Sequence, residues 1–260
     1  DIGVDALMFD FTNFRENQLF YTKKTLASLC DTFLEIRKEG GQTPQFVCMT
    51  TWDGYYSAHA ATVLYQDFYK PGKYDELWFR WDGKPLIMAD KKAVTDPEVL
   101  EYFTFRKSHP HYTAPTEPEA WPWLSTTPPH PAFTADNACE EVAIGAAQNW
   151  ANGPSYTFMS AMDDQGNFIA RGRSYHDGKS LLLKDPTSSE YPSAQNYNLQ
   201  ESLNSALELD PDFLYMTSWN EWIAGRFMED PFNTGDRLPK GGAFCDAYTA
   251  EFSRDLEPTR

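Results

Sequence analysis

The run Ala6-Leu7-Met8-Phe9-Asp10-Phe11 is almost continuously apolar, and an amphipathic segment, residues 18–38, follows it. Apolar side chains on both faces of a strand are typical of a parallel sheet that is buried between two layers. The second segment has apolar residues at helical spacing and stops before Gly40-Gly41, where helices commonly end. The start of the chain therefore predicts a strand and then a helix, which is the repeating unit of an α/β protein.

This strand–helix alternation continues to the end of the chain. Further strand candidates are residues 45–50, 85–88, 101–106, 121–124, 141–147 and 213–218, and further helix candidates are 58–69, 199–209 and 243–254. Seven strands fit a (β/α)8 TIM barrel that lacks its first strand in this chain. An open doubly wound sheet is the alternative, which the absence of a G-x-G-x-x-G motif after the first strand disfavours. We expect residues 1–260 to form a single barrel domain that is truncated at its N-terminus.

Composition narrows the classes of partner. The net charge of −16 repels a phosphate backbone, so nucleic acid is not an expected partner. No apolar run approaches the roughly 18 residues of a membrane-spanning helix. Aromatic residues make up 15% of the chain and suit sugar rings, although a large core also uses them. The four cysteines and five histidines have no metal-ligand spacing, so neither a metal nor a cofactor is expected.

A carboxylate at a strand end is the clearest candidate for chemistry. Glu221 follows the last predicted strand and lies between Trp219 and Trp222, with Asn220 beside it. Apolar walls raise the pKa of a carboxyl group, as a general acid requires, and an amide can hydrogen-bond a sugar hydroxyl. The simpler alternative is a structural carboxylate that pairs with the nearby Arg226.

Other strand ends and loops carry weaker candidates. Asp10 ends the first strand, where it could act in catalysis or cap the next turn. The loop 52–56 could line a sugar subsite or be an ordinary aromatic surface loop. Two long connections, residues 108–136 and 149–195, would lie on the face of a barrel that carries active sites. Arg171 and Arg173 in the second connection could bind an acidic or hydroxyl-rich substrate, or could partly neutralise the negative charge of the protein.

Three segments together resemble glycoside hydrolases of the family 71/99-like group: residues 5–13, 141–148 and 217–224. The resemblance implies a (β/α)8 barrel that acts on polysaccharides of the α-glucan or α-mannan type, with sequence before the first strand seen here. In family 99 the Asn-Glu-Trp segment carries two catalytic glutamates three positions apart. Glu221 matches the first, and Ala224 stands at the position of the second. Either Asp10 supplies the second carboxyl group, or the mechanism differs, or the barrel binds carbohydrate without cleaving it.

The predicted enzyme is a secreted or periplasmic glycosidase with a polysaccharide or oligosaccharide substrate, no cofactor, no metal and no membrane contact. Its predicted catalytic residues are Glu221 and Asp10. The predicted substrate-binding residues are Asn13, Trp52, Asp53, Arg106, Trp121, Gln148, Arg173, His176, Trp219, Asn220 and Trp222.

Overall fold

The computed structural model describes residues 3–13, 19–52, 54–150, 157–180, 195–219, 221, 225–229 and 242–256, without the side chains of residues 19 and 20. By their contacts, the residues group into two units, Asp1–Ser108 and His109–Arg260. Each unit is described by itself. None of the helices within the described ranges is long and apolar enough to cross a membrane.

The first unit is built on a mostly parallel sheet. Its strands are β1 (Ala6–Phe11), β2 (Gln45–Thr50), β3 (Arg80–Trp81), β4 (Lys84–Met88) and β5 (Thr104–His109), whose last residue belongs to the second unit. Strands β1, β2, β4 and β5 are parallel neighbours in that order, and β3 pairs antiparallel with β4. The apolar runs at β1, β2 and β4 thus form a parallel sheet, as the sequence predicts.

Helices connect these strands. They are α1 (Leu19–Lys38), α2 (Gly54–Leu64), which continues into a π-helical turn (Tyr65–Tyr69), and α3 (Pro97–Tyr102). Two short 3₁₀ turns, Asp75–Leu77 and Lys91–Ala93, complete the unit. Leu26 and Cys30 of α1 are buried in one core with Phe46 and Cys48 of β2, so the apolar face of α1 covers the sheet.

Within the described ranges, the second unit contains strands of two to six residues and the helix α4. The elements are β6 (Ala120–Pro122), β7 (Pro131–Phe133), β8 (Cys139–Ile144), α4 (Tyr197–Glu208), β9 (Phe213–Met216), β10 (Arg226–Phe227) and β11 (Ala243–Phe244). Strand β8 pairs antiparallel with β7 and parallel with β9, and β10 pairs antiparallel with β11. Val142 and Ile144 of β8 pack against Ala206 of α4. The β8–α4–β9 segment is therefore a parallel strand–helix–strand unit.

The predicted α/β class is confirmed, but the strand pairings within the described ranges do not close a barrel. The predicted strand 101–106 is displaced, because α3 extends to Tyr102 and β5 begins at Thr104. The start of α3 is fixed locally: Pro97 occupies its first turn, and the Asp96 side chain accepts the Glu98 N–H at 2.9 Å.

The predicted helix 243–254 is wrong. Ala243 and Phe244 form β11, and the residues after them turn back, so that Ala247 bridges Ser253 antiparallel. Arg254 and Asp246 form an ion pair at 2.5 Å, with both side chains buried. A straight helix would separate residues eight positions apart by about 12 Å, so the ion pair requires the turn.

Candidate functional site

The parallel strands β8 and β9 end at the same edge of their sheet, which is where α/β proteins commonly bind ligands. The pairing continues one step past the strands, because the Thr217 N–H donates to the Ile144 oxygen at 2.9 Å. Ser218 then turns the chain with a positive φ of 58°. The predicted strand 213–218 thus ends two residues early, and Glu221 lies in the loop beyond it rather than directly at the strand end.

Residues 253–256, called the C-terminal segment below, hold this loop in place. The Glu221 N–H donates to Oδ1 of Asp255 at 2.6 Å. The Leu256 N–H donates to the Ser218 oxygen at 2.9 Å. Glu221 itself is exposed, and Trp219 is 45% exposed. The loop therefore exposes a carboxylate and an indole to solvent, while hydrogen bonds from Asp255 and Leu256 fix its backbone.

Asp255, which anchors Glu221, is a buried carboxyl group. Only 1% of the residue is exposed, and its Oδ2 has no hydrogen-bond partner in the part of the chain that the structure describes. Burial raises the pKa of Asp255, and the hydrogen bond from the Glu221 N–H acts in the opposite direction.

Arg173, one of the predicted substrate-binding residues, reaches the same segment. Its Nε donates to the Ser253 oxygen at 3.3 Å, and its Nη2 donates to the Asp255 backbone oxygen. Burial lowers the pKa of Arg173, whereas the negative charges of Glu251 and Asp255 raise it by a smaller amount. Arg173 and Glu221 are therefore brought together through Asp255.

A second buried carboxyl group lies next to Arg173. Glu251 accepts the backbone N–H of Ser174 at 2.9 Å and also its hydroxyl, through Oε1. Its Oε2 has no partner within the described ranges, and burial raises its pKa. A Cβ on Gly172 would lie 2.2 Å from Glu251 Oε1, so only glycine permits this approach.

A buried ion pair completes the polar interior of this region. Arg254 donates to Asp246, and the Asn149 amide donates to the same carboxyl oxygen at 3.4 Å. The Tyr112 hydroxyl donates in turn to Asn149. Burial opposes the charge of Arg254, but the carboxylates of Asp246 and Glu221 outweigh it and raise the pKa of the guanidinium. Glu221 thus lies within electrostatic reach of a buried cation.

Gln148 and Arg171 form the neighbouring wall of the site. Their backbones pair through two hydrogen bonds of 2.8 and 3.0 Å. The Gln148 side chain is fully buried and donates to Thr127, and its Oε1 is unpartnered in the described chain. The Arg171 guanidinium lies 3.8 Å from the Trp150 ring centroid and 4.5 Å from that of Tyr175. The sequence analysis proposed Gln148 and Arg173 as substrate-binding residues and named Arg171 beside Arg173 as a further candidate, and these roles stay predictions.

His176 belongs to a polar hairpin turn at the surface. Its Nδ1 is 3.3 Å from Asp177 Oδ2, and the Asp177 N–H donates to Glu201 at 2.9 Å. One ligand atom from each of these three residues lies within 4.8 Å of the others, so they are the candidate set for a metal ion. Their mutual hydrogen bonds account for the cluster without an ion.

Trp121 and Arg106 lie in the interior rather than at a surface. Trp121 is fully buried, its Nε1 donates to Glu140 at 2.8 Å, and its ring packs 4.9 Å from that of Phe213. In the first unit, Arg106 is buried and forms a 3.5 Å ion pair with Asp82. Neither side chain is accessible to a sugar in this arrangement, so their predicted substrate contacts would require movement.

The remaining predicted residues of the first unit are at its surface. Asp10 is exposed and accepts the Thr12 N–H at 2.6 Å, which is the turn-capping alternative that the sequence left open. Asn13 is exposed, and Trp52 is 40% exposed. Asp53, Asn220 and Trp222 lie outside the described residues.

An open depression of about 620 Å³ lies elsewhere, on the first unit. Its lining includes Lys84, the first residue of β4, and Tyr102, which precedes β5. It therefore lies at the N-terminal ends of these strands, whereas α/β sites form at the opposite ends. It includes none of the predicted site residues.

The sequence prediction missed Asp246, Glu251, Arg254 and Asp255. The reason is the wrong helix at residues 243–254, which would have put Asp246, Glu251 and Arg254 on a solvated helix face, with Asp255 just after its end. The only signal in the sequence is the alternation of these charges with aromatic residues such as Phe252, which is buried. Comparison of the chain with protein-family models, with curated proteins and with solved structures finds no match.

Proposed function

We propose that this protein is a secreted or periplasmic glycoside hydrolase with a (β/α)8 barrel, which cleaves an α-glucan or α-mannan-like polysaccharide and uses Glu221 as a catalytic carboxylate. One observation carries the proposal: an exposed carboxylate and an exposed Trp219 share a loop beyond the parallel pair β8–β9. A carboxylate for acid–base work and an aromatic face for a sugar ring are two of the parts that glycoside hydrolysis uses, and a second carboxyl group is the third.

Glycoside hydrolysis uses two carboxyl groups: an ionised one acts as the nucleophile or the general base, and a protonated one donates to the leaving oxygen. We propose Glu221 as one member of this pair. The sequence-based assignment of Asp10 as its partner stays a prediction.

The test is release of reducing ends from a panel of α-glucans and α-mannans by the wild-type protein and by Glu221→Gln. The substitution keeps the size of the side chain and removes its ionisation, so kcat should fall on the order of a thousandfold. Glu208→Gln, at the exposed end of α4, is the matched control. Unchanged kcat in a folded Glu221→Gln variant would remove Glu221 from the mechanism.

The second candidate function is a barrel that binds carbohydrate without cleaving it. The observation in its favour is Ala224, which stands where the resemblance places a second glutamate. Affinity electrophoresis in gels that contain the same polysaccharides separates the two. Retarded migration of the wild type together with no reducing-end release on any substrate supports the binding module.

A further inference from the structure

We propose that Asp255 is the positioning residue of this site: it holds the backbone of Glu221 and thereby directs the Glu221 side chain. The inference rests on the proposed role of Glu221. It concerns a residue that the sequence pattern does not single out.

The contact is direct and is supported by a second one. Asp255 Oδ1 accepts the Glu221 N–H at 2.6 Å, and a hydrogen bond to a carboxylate is shorter and stronger than one between neutral groups. The Leu256 N–H donates to the Ser218 oxygen at 2.9 Å. Two consecutive residues of the C-terminal segment thus fix two points of the loop that carries Glu221.

The C-terminal segment, which holds the Glu221 loop, is itself fixed by hydrogen bonds and an ion pair. Arg173 donates to the backbone oxygens of Ser253 and Asp255. The Arg254 N–H donates to the Asp246 oxygen at 2.9 Å, and their side chains form the buried ion pair. Because the Asp255 backbone is held from both sides, its carboxyl group offers Glu221 an anchor of defined position.

Burial of the Asp255 carboxyl group lowers the stability of the fold. Its Oδ2 has no partner among the residues that the structure describes, and a buried polar group of this kind calls for an explanation beyond packing. The charged groups around it are Asp246, which raises its pKa together with burial, and Arg254 and Arg173, which lower it. Protonation of Asp255 would weaken its bond to the Glu221 N–H, so the anchor depends on pH.

The first experiment needs no substrate. An amide proton that is bound to a carboxylate shifts when the carboxylate ionises, so the Glu221 amide is followed by NMR from about pH 3 to pH 8. In the wild type it should titrate with a midpoint above about 3.9, the ordinary pKa of aspartate. In Glu221→Gln, whose own side chain cannot ionise and shift its amide, this transition should remain, and it should vanish when Asp255→Asn is added. The Asn167 amide, which donates to Asp163 Oδ1 at 2.8 Å, is the internal control that should titrate in both proteins.

The second experiment measures turnover on the polysaccharide panel. Asp255→Asn keeps a hydrogen-bond acceptor and should stay within about threefold of the wild-type kcat at neutral pH, without the acid limb that Asp255 titration causes. Asp255→Leu removes the acceptor and should lower kcat on the order of a hundredfold, with little change in KM. Asp163→Asn, in a surface turn, controls for loss of an aspartate.

The outcomes separate this inference from the proposed function. If the wild type cleaves none of the polysaccharides, glycosidase activity is wrong, while the amide titration still decides whether Asp255 holds Glu221. A position-221 amide that does not titrate in Glu221→Gln, or that still titrates when Asp255→Asn is added, overturns the inference. An equal loss of kcat in Asp255→Asn and Asp255→Leu also overturns it, because Asp255 would then act through its own proton. If Asp255→Leu does not fold, the titration and Asp255→Asn decide.

Discussion

Replacement of Glu141 by glutamine should stabilise this protein at neutral pH. Glu141 is fully buried on β8, and neither of its carboxyl oxygens has a hydrogen-bond partner among the described residues. Burial, and then the charge of the adjacent Glu140, raise the pKa of Glu141 well above its ordinary value. The folded protein therefore favours the protonated form more strongly than the unfolded chain does.

The sign of the pH dependence follows from this shift. The contribution of protonated Glu141 to folding is complete below its unfolded pKa, about 4.3. It is lost as the pH rises towards the higher folded-state pKa, at a rate of about 1.4 kcal/mol per pH unit between the two values. Glu141→Gln does not ionise and loses nothing over this range. At neutral pH the difference in the free energy of unfolding should therefore be about 1.4 kcal/mol for each unit by which burial raises the pKa of Glu141.

The assay is urea unfolding, followed by tryptophan fluorescence, at intervals from about pH 4 to pH 8. The wild type and Glu141→Gln should have similar free energies of unfolding at the acid end and diverge as the pH rises, with the variant more stable. Glu208→Gln changes an exposed carboxyl group and should parallel the wild type throughout. Parallel curves for Glu141→Gln and the wild type would refute the reasoning, because they would mean that the Glu141 carboxyl group is hydrated or paired.

Further predictions concern the interior of the second unit and its exposed loop. Gly172→Ala places a Cβ 2.2 Å from Glu251 Oε1 and should lower the free energy of unfolding by about 1–3 kcal/mol. An unchanged melting temperature would show that Glu251 moves freely. Arg254→Met leaves Asp246 as a buried charge without its cation and should cost about 3–5 kcal/mol in urea unfolding, much of which Asp246→Leu in the same chain should recover. Additive losses in the double variant would contradict this. Trp219→Ala should change the melting temperature by only a few degrees, because the side chain is already 45% exposed, while it weakens retardation by polysaccharide gels. A large fall in melting temperature would instead make Trp219 a core residue.

The local pattern of apolar residues predicted some strands and helices correctly. It failed where contacts between distant segments determine the secondary structure. The apolar runs at β2 and β4 are buried on both faces, as such runs predict, whereas most residues of β1 are only half-buried and Asp10 is exposed. The start of β5 was misplaced because α3, which begins at Pro97 after the Asp96 cap, occupies residues up to Tyr102 that have strand-like composition. The segment after Ala243 has adequate helix propensity, but its burial of Phe252 requires a turn.

Sequence alone was enough to predict the alternation of strands and helices, the parallel sheet and a position for Glu221 after strand β9. These features follow from the spacing of apolar residues, which is read within a few neighbouring positions. The contacts of the folded chain were needed to show which polar side chains surround Glu221. Asp255 meets it from 34 positions away, and Arg173 meets Asp255 from 82 positions away. Hydrogen bonds and burial depend on which segments come together in space, and a one-dimensional pattern holds no measure of that.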